Sequence, residues 1–168
     1  MEIRELKPAE YAEGGRVTAL AYREYAAQAP PDAADEWEDY LRSIADIAGR
    51  ADRTVIIGAL EDGRILGTAT LELTGSIGDG DPDVPPDAAN IRMLGVDPAA
   101  RGRGAGRALV EACIGRTRSA GKERIVLHTT PPMAPAQGLY RSMGFVRDPE
   151  RDVSFENGLE LIAYQLRL

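Results

Sequence analysis

The stretch that most constrains this chain reads Leu94-Gly-Val-Asp-Pro-Ala-Ala-Arg-Gly-Arg-Gly-Ala-Gly-Arg-Ala-Leu109. A short apolar run ends, Pro98 turns the chain, and Gly102, Gly104 and Gly106 lead into residues at helical spacing. Glycine has no Cβ, so an anionic oxygen can approach the backbone N–H groups closely. The first turn of a helix offers unpaired donors and the positive end of the dipole. Arg101, Arg103 and Arg107 add cationic donors. The segment is therefore a strand-to-helix anion site. It is neither of two common phosphate loops. A P-loop needs Gly-Lys-Ser/Thr, but Gly106 is followed by Arg107-Ala108. A dinucleotide fingerprint needs Gly or Ala at its sixth position, where Arg107 or Leu109 stands, depending on the starting glycine.

The pattern around this segment predicts a mixed α/β chain. Ile3 to Leu6 alternates as a strand, and Tyr11 to Ala27 carries Val17, Leu20, Ala21 and Tyr25 at helical spacing. After Pro30-Pro31, Asp32 or Asp35 caps a second helix with Trp37, Tyr40, Leu41, Ile44 and Ile47 on one face, ended by Gly49. Thr54 to Leu60 and Ile65 to Thr74 are strands joined at Asp62-Gly63, a hairpin signal. Residues 75 to 88 hold too much Gly, Pro and Asp for regular structure and read as a mobile loop. Asp79, Asp81 and Asp83 match the first ligand positions of a calcium loop, but Val84 replaces its glycine and Asn90 its closing glutamate. Strand 90–96, helix 103–120 and strand 124–129 form a parallel, right-handed crossover. A short helix over 135–143 ends at Gly144, and Phe145-Val146 pairs with a last strand over 159–166.

Composition narrows the partners. The 168 residues are 43% hydrophobic, enough for a core, and at this length one domain spanning 1–168 is expected. The net charge of −7 argues against nucleic acid or an anionic membrane as the main partner. The start Met-Glu-Ile-Arg-Glu lacks the layout of a signal peptide and no long apolar run follows, so a cytoplasmic location is expected. Cys113 is the only cysteine and His128 the only histidine, which excludes an internal disulfide and leaves a structural zinc site without its soft ligands.

Together with Ala136-Gln-Gly-Leu-Tyr-Arg-Ser-Met-Gly-Phe145, the glycine segment resembles the GNAT superfamily of acetyl-CoA-dependent N-acetyltransferases. Arg101-Gly-Arg-Gly-Ala-Gly106 matches that family's Arg/Gln-x-x-Gly-x-Gly/Ala loop. Leu94, Gly95 and Val96 match its preceding strand, and Leu139-Tyr140 with Gly144-Phe145 matches its later helix and turn. The resemblance is strong from Ile65 to Val146 and weak over the first 50 residues.

The resemblance implies a twisted mixed sheet flanked by helices, with strands 90–96 and 124–129 splayed around the pantetheine arm of acetyl-CoA. Backbone groups of Leu94 and Val96 would hold that arm. The loop from Arg101 through Gly102, Arg103, Gly104, Ala105 and Gly106 to Arg107 would hold the phosphates. A backbone N–H on strand 90–96 would polarise the thioester carbonyl. Tyr140 falls where the family's tyrosine meets the CoA sulfur. A phenol near pKa 10 and a thiol near 8.5 allow it to protonate the departing thiolate. His128 lies twelve residues before Tyr140, where ribosomal-protein-modifying members carry a catalytic glutamate, so imidazole is a candidate base there. Each also reads as core, Tyr140 beside Leu139 and His128 as a packed residue on an apolar strand. Met133 stands where many members have a cofactor-contacting Asn, and Asn90 where many have Glu. Glu36, Glu38 and Asp39 read either as a cationic-acceptor surface or as a solvated helix face. Cys113 reads as inert packing.

The implied activity is acetyl transfer to a primary amine of a small molecule or peptide by direct attack in a ternary complex. The alternative is a non-catalytic acyl-CoA sensor. Dimers are frequent in the family, so a homodimer is one expected state.

Overall fold

Asp62 and Gly63 both sit at left-handed backbone angles, φ 50° and 78°. Two such residues in succession make the tight turn whose twist matches a hairpin, and they join strand β2 (Val55–Glu61) to β3 (Arg64–Glu72). The structure, a computed structural model, describes residues 1–26, 34–75, 84–155 and 158–168. Asp79, Asp81 and Asp83, most of the expected loop, and the Pro30-Pro31-Asp32 helix stop and cap lie outside the described residues. The chain divides into two compact units, Met1–Thr70 with Met93–Ala112, and Leu71–Arg92 with Cys113–Leu168.

In the first unit the strand order is β1 (Glu2–Glu5), β2, β3, then the end of β4 (Ala88–Val96). β1 runs antiparallel to β2, with Glu2 opposite Leu60 and Glu5 opposite Ile57. Leu6, Val17, Ile47, Ile56, Leu60 and Ile65 form a buried cluster against this sheet. Each such side chain contributes roughly 1.5–3 kcal/mol on burial. Helices α1 (Tyr11–Ala26) and α2 (Ala34–Ala45) pack at close range because α1 carries glycine where they meet. A Cβ on Gly15 would lie 1.9 Å from the Ala45 carbonyl oxygen. The second helix ends at Ala45, four residues before Gly49. The buried Arg50 accounts for this, donating to the carbonyls of Ile44 (2.9 Å) and Asp46 (2.7 Å) and so capping that end.

In the second unit the order is β4, β5 (Arg124–Thr129), β8 (Glu160–Arg167), β6 (Val146–Arg147), with β7 (Val153–Ser154) also on β8. β4 and β5 are parallel, as their crossover through helix α3 (Ala105–Ser119) requires. Their ladder runs only from Ala88↔Arg124 to Ile91↔Leu127, so the two strands are hydrogen-bonded at their starts alone. Met93, two residues on, has φ 50° and breaks the regular course of β4. β5 and β8 are antiparallel over the full length of β5. Parallel and antiparallel pairs thus occur together, as the mixed α/β reading expected. α4 (Ala134–Ser142) precedes Gly144, whose φ of 89° turns the chain into β6.

Candidate functional site

The phosphate-type loop lies in the first unit. Past Val96, Asp97 stops the strand and opens a single 3-10 turn over Pro98–Ala100, its Oδ1 accepting from the Ala99 N–H at 2.9 Å. Its Oδ2 receives Arg64 at 2.7 Å, and Asp97 is buried. The Ala99 bond, aided by Arg64 and opposed by burial, holds the Asp97 carboxyl below its ordinary range. The loop is therefore anchored at its entrance.

Gly102 and Gly104 then adopt φ 76° and 85°. A Cβ at either position would meet no atom within 4 Å. These glycines are thus required by backbone conformation, not by protein packing, and the space above them is open. Helix α3 begins at Ala105, later than expected, because the left-handed Gly104 cannot continue a helix backwards. Its first bond runs from the Ala108 N–H to the Gly104 carbonyl at 3.0 Å. The preceding N–H groups make up the helix's donor end. An anion fits here.

The three arginines are not equivalent. Arg101 makes a two-pronged pair with Glu24 near the end of α1, at 2.9 and 2.7 Å, and also reaches the Ala21 carbonyl. That pairing raises the Arg101 pKa and lowers that of Glu24. Arg103 pairs with Glu61 of β2. Arg101 thus fastens the loop to α1, a role that its sequence position did not disclose. Leu94, Gly95 and Val96 lie just upstream. α1 approaches Gly95 so closely that a Cβ there would be 2.9 Å from that of Ala21.

Tyr140 and His128 lie in the second unit. Tyr140 on α4 is 5% exposed, with its ring 5.8 Å from Phe145 and 6.2 Å from Tyr164, centroid to centroid. Tyr164 in turn meets Arg141 and Gln137 through its hydroxyl. His128 is half-buried, and its Nε2 lies 2.9 Å from the Arg151 carbonyl oxygen. Burial pushes its pKa below the ordinary imidazole value, against the opposing effect of that bond. The ring is therefore neutral at pH 7. Along β8, Ala163 stands beside His128 and Tyr164 beside Leu127. Adjacent strand residues face opposite sides, so His128 lies on one face of β5–β8 and Tyr164, with Tyr140 packed on it, on the other. The two candidates are not brought together on one face.

The remaining candidates resolve simply. Asn90 donates to the buried Glu72 at 2.6 Å, so this strand position binds a carboxylate instead of supplying one. Met133 is buried at the start of α4. Glu38 pairs with Arg23 and Asp39 with Arg42, beside a cleft of about 390 Å³ between α1 and α2. Their charges are met, which favours the solvated-face reading over a cation site. Burial pushes the Cys113 thiol up to about 12, so it offers no thiolate at neutral pH. Among the described residues, no cluster of His, Cys, Asp and Glu suits a metal ion, and no helix is long and apolar enough to cross a membrane.

A mixed sheet whose fourth strand runs through a left-handed glycine loop into a helix is the arrangement of one acyltransferase class. The chain belongs to the acetyltransferase (GNAT) family, whose model matches residues 17–145. Among its relatives, the aminoglycoside N(6')-acetyltransferase type 1 of Stenotrophomonas maltophilia is 31% identical over 77% of this chain and 80% of its own. The mycothiol acetyltransferase of Beutenbergia cavernae is 45% identical over 36% of this chain, a match spanning only 21% of the relative's length. The PaiA N-acetyltransferase of Thermoplasma acidophilum, solved with coenzyme A, shares the fold with a TM-score of 0.74 at 14% identity, over 98% of both chains.

Proposed function

We propose that this chain transfers an acetyl group from acetyl-CoA to a primary amine of a small molecule or peptide, by direct attack. The observation that carries the reading is the loop at Gly102 and Gly104, whose left-handed backbone opens onto empty space at the donor end of α3. Acetyl-CoA supplies an activated acyl carbon and a thiolate leaving group. The backbone N–H groups from Gly102 to Gly106, with Arg103 and Arg107, bind its phosphates, while Arg101 holds the loop to α1. Leu94, Gly95 and Val96 bind the pantetheine arm through their backbone. Tyr140 protonates the leaving sulfur. His128, neutral at pH 7, takes the proton that the acceptor nitrogen loses as the neutral amine attacks. Cys113, buried and protonated, does not serve as an acyl-carrying nucleophile.

A small-molecule acceptor is supported by two relatives, a mycothiol acetyltransferase and an aminoglycoside N(6')-acetyltransferase. The test is a screen of aminoglycosides, aminothiol precursors, amino acids and peptide N-termini, with thiol release as readout. Amine-dependent release supports the reading. Acetyl-CoA binding without release for any amine would make the chain a sensor.

A further inference from the structure

We infer that His128 is held in a single tautomer by the turn over Pro149–Arg151, so that Nδ1 is the basic atom, and that Asp152 is the positioning residue. The inference rests on the proposed role of His128 as base and specifies how that role is built. A carbonyl oxygen only accepts, so the 2.9 Å contact with Arg151 requires the hydrogen to sit on Nε2. The neutral ring then carries its lone pair on Nδ1.

The carbonyl is aimed by a closed set of bonds. Pro149 starts the turn, the Arg151 N–H bonds the Asp148 carbonyl at 3.0 Å, and the Asp152 N–H bonds the Pro149 carbonyl at 3.2 Å. Asp152 then clamps the turn to the sheet. Its carboxylate takes the Ala163 N–H at 2.8 Å and both arms of Arg147 at 2.9 and 2.7 Å. Ala163 is the residue of β8 directly opposite His128. The side chain following the Arg151 carbonyl is thus fastened to the strand partner of the histidine.

The charges felt by the ring are those of Arg151, Asp152 and, from β4, Arg92. In the step itself, the neutral amine's lone pair forms the C–N bond at the thioester carbonyl carbon, its N–H proton passes to Nδ1, and the C–S bond breaks as Tyr140 protonates the departing sulfur. The imidazolium keeps its Nε2–H on the carbonyl and later returns the Nδ1 proton to water. Donation from Nε2 to a carbonyl raises the basicity of Nδ1, offsetting part of the loss due to burial.

Because His128 is the only histidine, ¹⁵N-histidine labelling places one imidazole in the spectrum of the whole protein. Two-bond ¹H–¹⁵N correlation should show a protonated Nε2 and an unprotonated Nδ1 throughout the neutral range. A protonated Nδ1, or averaging between tautomers, overturns the inference whatever the activity. Asp152→Ala should bring averaging and about a tenfold loss of kcat, with KM for acetyl-CoA unchanged, while Asp152→Asn should recover part of both. An Asp152→Ala spectrum identical to wild type would remove Asp152 from the account. His128→Gln separates the two levels, because its amide can still donate to Arg151. Full activity there, with the wild-type tautomer as inferred, would refute the base reading and leave the tautomer standing.

Discussion

Gly104 and Gly63 provide a matched pair that separates ligand space from backbone strain. Both have left-handed φ, 85° and 78°, and at both a Cβ would meet no atom within 4 Å. Alanine at either site costs about 1–2 kcal/mol, because an L side chain crowds its own backbone there. For a chain of 168 residues that is a fall in Tm of roughly 2–8 °C. The shared penalty ends at folding. At Gly104 the new methyl occupies the space where phosphate oxygens meet the donor end of α3. Losing one charge-assisted hydrogen bond there costs about 1.5–3 kcal/mol, or roughly 10- to 150-fold in affinity. At Gly63 the methyl projects from the β2–β3 turn. Calorimetric titration with CoA, alongside thermal melts, reads both quantities. The expected result is a similar fall in Tm for both variants and weakened CoA binding for Gly104→Ala alone. Equal affinity in both variants would refute the anion-site argument.

Tyr140→Phe should lower kcat roughly 10²-fold with little change in CoA affinity, as steady-state rates and calorimetry will show; a kcat within threefold of wild type would make Tyr140 packing only. The folded pKa of His128 is lowered, so just below pH 6.5 the unfolded chain binds more protons than the folded one, and stability should fall as pH drops through that range. The same depression places the acidic limb of kcat/KM below about 6.5. Urea denaturation from pH 8 to 5 should show this loss in wild type and not in His128→Gln, and parallel curves would contradict it. Gly15→Ala must displace the Ala45 carbonyl and should destabilise by about 1–3 kcal/mol. Gly115→Ala, in open space on α3, should stabilise by up to about 1 kcal/mol. A gain at Gly15 in the same denaturation assay would show that α1 and α2 are not in backbone contact.

What was legible in the sequence was local. The hairpin at Asp62-Gly63 announced itself through turn chemistry, and β5 was bounded correctly by its apolar run. The glycine loop was visible because its glycines mark left-handed backbone at Gly102 and Gly104. Bonds between distant residues were not visible. Nothing at Glu24 marks it as the partner of Arg101, 77 residues later, and nothing at Arg151 marks its carbonyl as the partner of His128. Asp97 could have been found, since Asp before Pro is a common turn opener with a capping carboxylate. The positive φ of Met93 has no such signal, because the sequence there reads as continuous strand. The facing of His128 and Tyr140 to opposite sides depends on the β5–β8 register, which spacing within one strand cannot supply.

The central claim is that this chain moves an acetyl group from acetyl-CoA bound at the Gly102–Gly104 loop onto an amine. The most direct measurement follows ¹³C-acetyl-CoA with an amine that passes the screen, quantifying N-acetyl product and free thiol in wild type and in Gly104→Glu. The glutamate places a side chain and a negative charge in the phosphate space, at an exposed turn where the left-handed backbone costs it about the same 1–2 kcal/mol as alanine. Wild type should give labelled product equal to the thiol released, and Gly104→Glu, still folded by its melt, should give none. Equal product from both proteins, or thiol released without labelled amine, would contradict the account.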